Sequence, residues 1–130
     1  MISREDVEAF LDRLVGGSDY EEVGEGIWVI SVGDSPRVVV NYESPVLVLR
    51  VNVMDVPKSD ASKAGLMTKL LELNATDLVH GSYGLEGEHI VLTDTLQLEN
   101  LDFNELQASF DSITLALASH LPALAEHGEA

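Results

Sequence analysis

The chain predicts an α+β domain, an antiparallel sheet flanked by helices in the order α-β-β-β-α-β-β-α. Three observations lead there. Apolar residues recur at steps of three and four near both ends and in the middle of the chain, the period of a helix packed on one side. Between these segments lie stretches rich in Val and Ile whose period shortens to two. Gly, Pro, Asn and Asp punctuate the changes. With 130 residues, 45% hydrophobic and 23% charged, residues 1–130 are expected to form one folded domain around a single core.

The first helix starts at Ser3, an N-cap with Asp6 three residues on, and Ile2 can staple onto Val7. Val7, Phe10, Leu11, Leu14 and Val15 form its apolar stripe, and Gly16-Gly17 ends it. Next come GIWVISV, RVVVNYE and PVLVLRVNVMDV, three strands of a meander separated by GDSP and YESP. In the third, Leu47, Leu49, Val51 and Val53 share the core face, with Val46, Val48, Arg50 and Asn52 opposite. Pro57 closes that strand, and Ser59 or Asp60 caps a second helix running to about Asn74. Its apolar residues cover more than one stripe, which implies a second packing partner. Either the helix is deeply buried or it forms a subunit interface, and the expectation for a chain this small is the interface, a homodimer contact at Leu66, Met67, Leu70 and Leu71. A hairpin with its turn near Glu86-Gly87 follows. The last helix opens on Asp102, with Glu105 completing a capping box and Leu101 stapling onto Leu106. Phe103, Leu106, Phe110, Ile113, Leu117 and Leu121 line one of its faces, and Pro122 is expected to end it.

Charge is the strongest compositional signal, with a formal net of −16. All seven Lys and Arg residues lie before Leu70, and eleven acids follow with none of either. Such a surface repels phosphate backbones and anionic lipid, so no nucleic acid and no membrane is expected as a partner. The acidity has two readings that charge alone does not separate, solubility or an acid-rich proteome on one hand and attraction of a basic or amphipathic protein segment on the other. The start, MISREDVEAFLDRL, carries acids where a signal peptide has a basic and then an apolar region, which makes the cytoplasm the expected location. With no cysteine, disulfides, thiolate metal sites and cysteine nucleophiles are excluded.

The stretch LVHGSYGLEGEHIVLTDTL invites a metal or catalytic reading through His80 and His89. If Gly84 pairs with His89, His80 lies opposite Thr93, and the two histidines share a face at a separation of about 13 Å. Metal ligands must converge at ~2.0–2.2 Å, so this pair does not hold one ion. The other face carries Val79, Tyr83, Leu85, Ile90 and Leu92 as core, and exposed histidines opposite such a face are what a half-solvated sheet produces. His120 and His127, near the end of the last helix, read as surface residues favoured by the helix dipole. No G-x-S-x-G elbow, P-loop or G-x-G-x-x-G helix start is present, and DYEE and EGE read as solvated turns. Trp28 and Tyr42 sit on strand faces with Ile30 and Val40 and read as core. No cofactor and no catalytic activity are expected. The alternative is a small-ligand or metal-dependent enzyme using His80, His89 and nearby carboxylates.

Leu71, Asn74, Gly81, Tyr83, Leu85, Val91, Leu92, Leu101, Asp102 and Leu106 carry a resemblance. A helix ending in Asn, a G-x-[YF]-x-L strand, a turn, a V-x-L strand, a Leu-Asp link and a final helix resemble the YbjN family of small bacterial proteins. The element order resembles the class I type III secretion chaperone (CesT-like) fold. That resemblance implies a bacterial, dimeric protein that acts by binding another protein, as a chaperone or a regulator. It implies no catalytic residue.

Overall fold

The computed structural model describes residues 1–128. Its elements are α1 (Arg4–Leu14), β1 (Tyr20–Gly24), β2 (Ile27–Ile30), β3 (Val38–Glu43), β4 (Val46–Asp55), α2 (Asp60–Thr76), β5 (Ser82–Glu86), β6 (His89–Gln97) and α3 (Phe103–Ala125). All strand pairs are antiparallel, and the sheet order is β1-β2-β3-β4-β6-β5. The sheet thus has six strands where the sequence predicts five. The extra one is β1, YEEVG, and DYEE is largely strand rather than turn. Glu21, Glu22 and Val23 are exposed on this edge strand, so no alternation marks it, and pairing with β2 defines it instead.

Both predicted capping boxes form. Ser3 and Asp6 exchange side-chain-to-backbone bonds at α1, and Asp102 and Glu105 do so at α3. Ser59 is the N-cap of α2. Pro122 does not end α3, which runs on to Ala125. A proline there removes one backbone bond at a cost of about 3 kcal/mol. The last turn persists because Leu124 is fully buried in the core.

One sheet face carries the core. Trp28, Ile30, Val38, Val40, Leu47, Leu49, Val51, Tyr83, Ile90 and Leu92 are buried there, together with Val7 and Leu11 of α1, Leu66, Leu70 and Leu73 of α2, and the α3 stripe. Each fully buried apolar side chain contributes roughly 1.5–3 kcal/mol. Val53 departs from its expected place and is only half-buried, because a bulge between Asn52 and Met54 breaks the alternation. The opposite face is half-solvated, with one exception. Val91 is buried on it because the Arg50–Glu86 ion pair reaches from β4 to β5 across β6.

The β5–β6 hairpin is two residues out of the expected register. Glu86 is opposite His89, Gly84 is opposite Val91 and Ser82 is opposite Thr93, with the turn at Gly87-Glu88. A slip of two preserves which face each residue occupies. Two expected core residues are nonetheless solvent-exposed: Val79, 84% exposed, precedes the strand, and Leu85, 60% exposed, lies on the edge strand β5.

Candidate partner-binding surfaces

Two depressions border the helices, the first lined mainly by apolar residues and the second by apolar and charged ones. The first is a slot of about 390 Å³ walled by Leu14 and Val15 at the end of α1, Phe110 and Thr114 of α3, and Val32 and Pro36 of the β2–β3 loop. Its walls are held by an aromatic stack. Phe10 of α1 meets Phe103 of α3 edge-on at 6.1 Å, and the Arg13 guanidinium lies 4.0 Å from the centre of the same ring. Asp19 lines the slot and no Lys, Arg or His does. Nearby, the Tyr20 hydroxyl donates to Asp12 at 2.7 Å, tying β1 to α1, and that bond pushes the tyrosine up to about 12.

The second depression runs between α2 and the edge strand β5. At one end is a cavity of about 410 Å³ between Lys58, Lys63, Met67, Leu85, Glu88 and His89. It adjoins a smaller space of about 180 Å³ that shares Met67 and Leu85 and extends to Leu71, Asn74 and Tyr83. Of the four residues expected at a dimer interface, Leu66 and Leu70 belong to the chain's own core. Met67 is half-buried beside the groove, and Leu71 is 69% exposed. Leu66 and Leu70 pack with Leu73 into the core cluster, the deep burial that the width of the α2 stripe also allows.

The groove's β5 wall is fastened by polar side chains. The Asn74 carboxamide accepts from the Tyr83 N–H at 2.7 Å and donates to the Tyr83 carbonyl at 3.1 Å, taking the place of a neighbouring strand. The Tyr83 hydroxyl is 2.8 Å from His120 Nδ1, and His120 Nε2 is 3.2 Å from the Asp77 carboxylate just past α2. Burial, with a smaller contribution from the Asp77 charge, pushes the Tyr83 hydroxyl up to about 12. His120 is 5% exposed and not the surface residue that its distance from the helix end predicts. The signal was present in the sequence: Ile113, Leu117, His120 and Leu124 continue the buried stripe by steps of four, three and four. His127 also lies on α2, since a Cβ at Gly65 would come 3.1 Å from its Nδ1.

The other two histidines are apart from this cluster. His89 pairs with Asp55 at 2.7 Å on the exposed sheet face, and His80 precedes β5, so the expected His80–Thr93 pairing does not form. Among the described residues, no three His, Cys, Asp or Glu side chains are grouped to hold a metal ion, and no helix is long and apolar enough to cross a membrane.

Comparison with known proteins agrees with this architecture. Among curated proteins, none matches the chain in sequence. Among solved structures, a chain of the heterodimeric ExoU–SpcU complex from the type III secretion system of Pseudomonas aeruginosa superposes with a TM-score of 0.70 at 15% identity, covering 89% of this chain and 95% of that one. YbjN from E. coli gives a TM-score of 0.65 at 9% identity, covering 92% and 91%. The structure of the Yersinia pestis type III secretion chaperone SycH with a fragment of YscM2 gives 0.60 at 15% identity, covering 86% and 93%. At these identities the likeness is one of fold. The profile of the CesT_Tir_1 family matches residues 2–129. On that match this chain belongs to the CesT_Tir_1 family, and it has the fold that YbjN and the type III secretion chaperones share.

Proposed function

We propose that the chain is a non-catalytic, chaperone-like module that binds another protein and works as a cytoplasmic homodimer. The observation that carries this reading is the apolar slot between α1, α3 and the β2–β3 loop, open on a chain of net charge −16. An apolar side chain fits the slot, and neighbouring basic residues on the same segment would be drawn to Asp19 and the acidic surroundings. The fold supports the reading, since several of its other holders were solved with protein partners, among them the HopA1–SchA chaperone–effector complex and the ExsC–ExsE complex. The buried histidine is engaged in holding α2, β5 and α3 together and does not line the slot.

The dimer is assigned to α2, with Leu71 and Met67 as its apolar contacts in place of the full set of four. Sedimentation at micromolar concentration should give a dimer, and Leu71→Glu should give a folded monomer. A wild-type monomer would remove the dimer from the proposal. For the partner, Val32→Glu places a charge at the slot's rim, on a residue already 38% exposed, and leaves folding intact. Wild-type protein should capture a protein from the native lysate in stoichiometric amount, and Val32→Glu should lose it. Equal capture by both, or none by the wild type, would refute the slot as the binding site.

A further inference from the structure

Among the described residues, His120 is the buried histidine, and its ring joins three elements. Its two ring nitrogens have different neighbours. Nδ1 faces the Tyr83 hydroxyl of β5 at 2.8 Å, and Nε2 faces the Asp77 carboxylate at the end of α2 at 3.2 Å. A carboxylate only accepts, so Nε2 carries the hydrogen, and Nδ1 is left to accept from the tyrosine. Burial keeps that tyrosine protonated, its hydroxyl held at about 12, so it remains a donor across the physiological range. The neutral ring therefore satisfies all three groups in one tautomer.

We propose that the Asp77–His120–Tyr83 chain is a proton-sensitive latch on the edge strand β5, closed when His120 is neutral and loosened when it is protonated. A second proton on the ring goes to Nδ1 and turns that atom into a donor. The Tyr83 hydroxyl hydrogen then has no acceptor there, in a position buried from water, and the tyrosine must turn to accept instead. Asp77 is the charged group facing the ring from α2, and Tyr83 is the titratable group facing it from β5. Asp77 tightens on the imidazolium and Nδ1 now donates to the Tyr83 oxygen, so what loosens β5 is the buried tyrosine hydrogen left without an acceptor. What remains on β5 is the Asn74 clamp and the ladder to β6. Because β5 is a sheet edge and a wall of the α2–β5 groove, loosening it alters both a strand-pairing edge and an apolar cleft.

Two NMR measurements on the whole chain test this. Nitrogen shifts of the His120 ring should show the Nε2–H tautomer while the ring is neutral. Amide exchange protection at Tyr83 to Glu86, taken as a ratio to β3 amides in the same sample, should fall by up to about tenfold as His120 takes up its proton, the scale of one net hydrogen bond. In Tyr83→Phe the ratio should already be lowered at neutral pH and should show no step. An Nδ1–H tautomer, a flat ratio in the wild type through the titration of His120, or a step that persists in Tyr83→Phe would each overturn the proposal. The tautomer and the wild-type ratio decide the matter even if the variant folds poorly.

Discussion

Gly81 and Asn74 show how single residues set the geometry of the β5 edge. Gly81 has φ of +81°, and a Cβ there would sit 2.7 Å from the Thr93 carbonyl oxygen. Gly81→Ala should therefore cost about 1–3 kcal/mol, read as a lowered urea midpoint with unchanged slope. Asn74 holds both main-chain polar groups of Tyr83 on the side of β5 that no strand covers. Asn74→Ala should cost about 1–3 kcal/mol, because both groups lose their partner at once. Both residues belong to the pattern resembling YbjN, but no reading of periodicity says what they do. Their partners are a carbonyl of β6 and the main chain of β5, brought close only by the fold. Trp28 is a contrasting case. Its ring is fully buried as its strand position predicts, while its indole N–H has no acceptor among the described residues, a local cost that the surrounding core offsets.

At the scale of elements, helix starts and the ends of α1 and α2 were legible, and the end of α3 was not. Capping boxes are local, spanning four residues, so Ser3 with Asp6 and Asp102 with Glu105 could be read directly. Asp102→Ala should destabilise by about 1 kcal/mol in thermal unfolding. The end of α3 depends on whether burial of Leu124 outweighs the proline two residues before it. Pro122→Ala should restore the missing backbone bond and stabilise the chain by about 1–3 kcal/mol, seen as a raised melting temperature. On α2, the same apolar sequence supplies both core and surface. Leu66→Glu or Leu70→Glu should unfold the protein by placing a charge in the core, whereas Leu71→Glu should leave circular dichroism unchanged. β1 was missed because an exposed edge strand has no buried face to generate a pattern.

For the whole molecule, alkaline pH reports on the buried tyrosine. The Tyr83 hydroxyl is raised to about 12 in the folded chain, against ~10 for an unfolded one. Its contribution to stability is complete below the unfolded value and is lost as pH rises toward the folded one, because the unfolded state gives up its proton first. Stability should fall between pH ~10 and 12, and Tyr83→Phe should reduce that fall. The share belonging to Tyr20, also raised to about 12 by its bond to Asp12, should remain. Charge acts at the same scale. With a net charge of −16, the folded state and any dimer work against self-repulsion, so raising salt from about 0.02 M to 0.5 M should raise the melting temperature and favour association. A melting temperature that falls with salt would show that attractive ion pairs outweigh the net repulsion.

The amino-acid sequence by itself determined the α+β class, the three helices and their starts, five of the six strands, and the core face of the sheet, because propensity, capping and periodicity act over a few neighbouring residues. It also determined the acidity that constrains any partner. Tertiary structure decided which apolar residues stay exposed, placing Leu66 and Leu70 inside and Leu71, Val79 and Leu85 outside. It decided too that His120 meets Asp77 and Tyr83, which lie 43 and 37 residues away in the chain. Contacts at such separations depend on how elements cross, and the spacing of residues within one element carries no record of that.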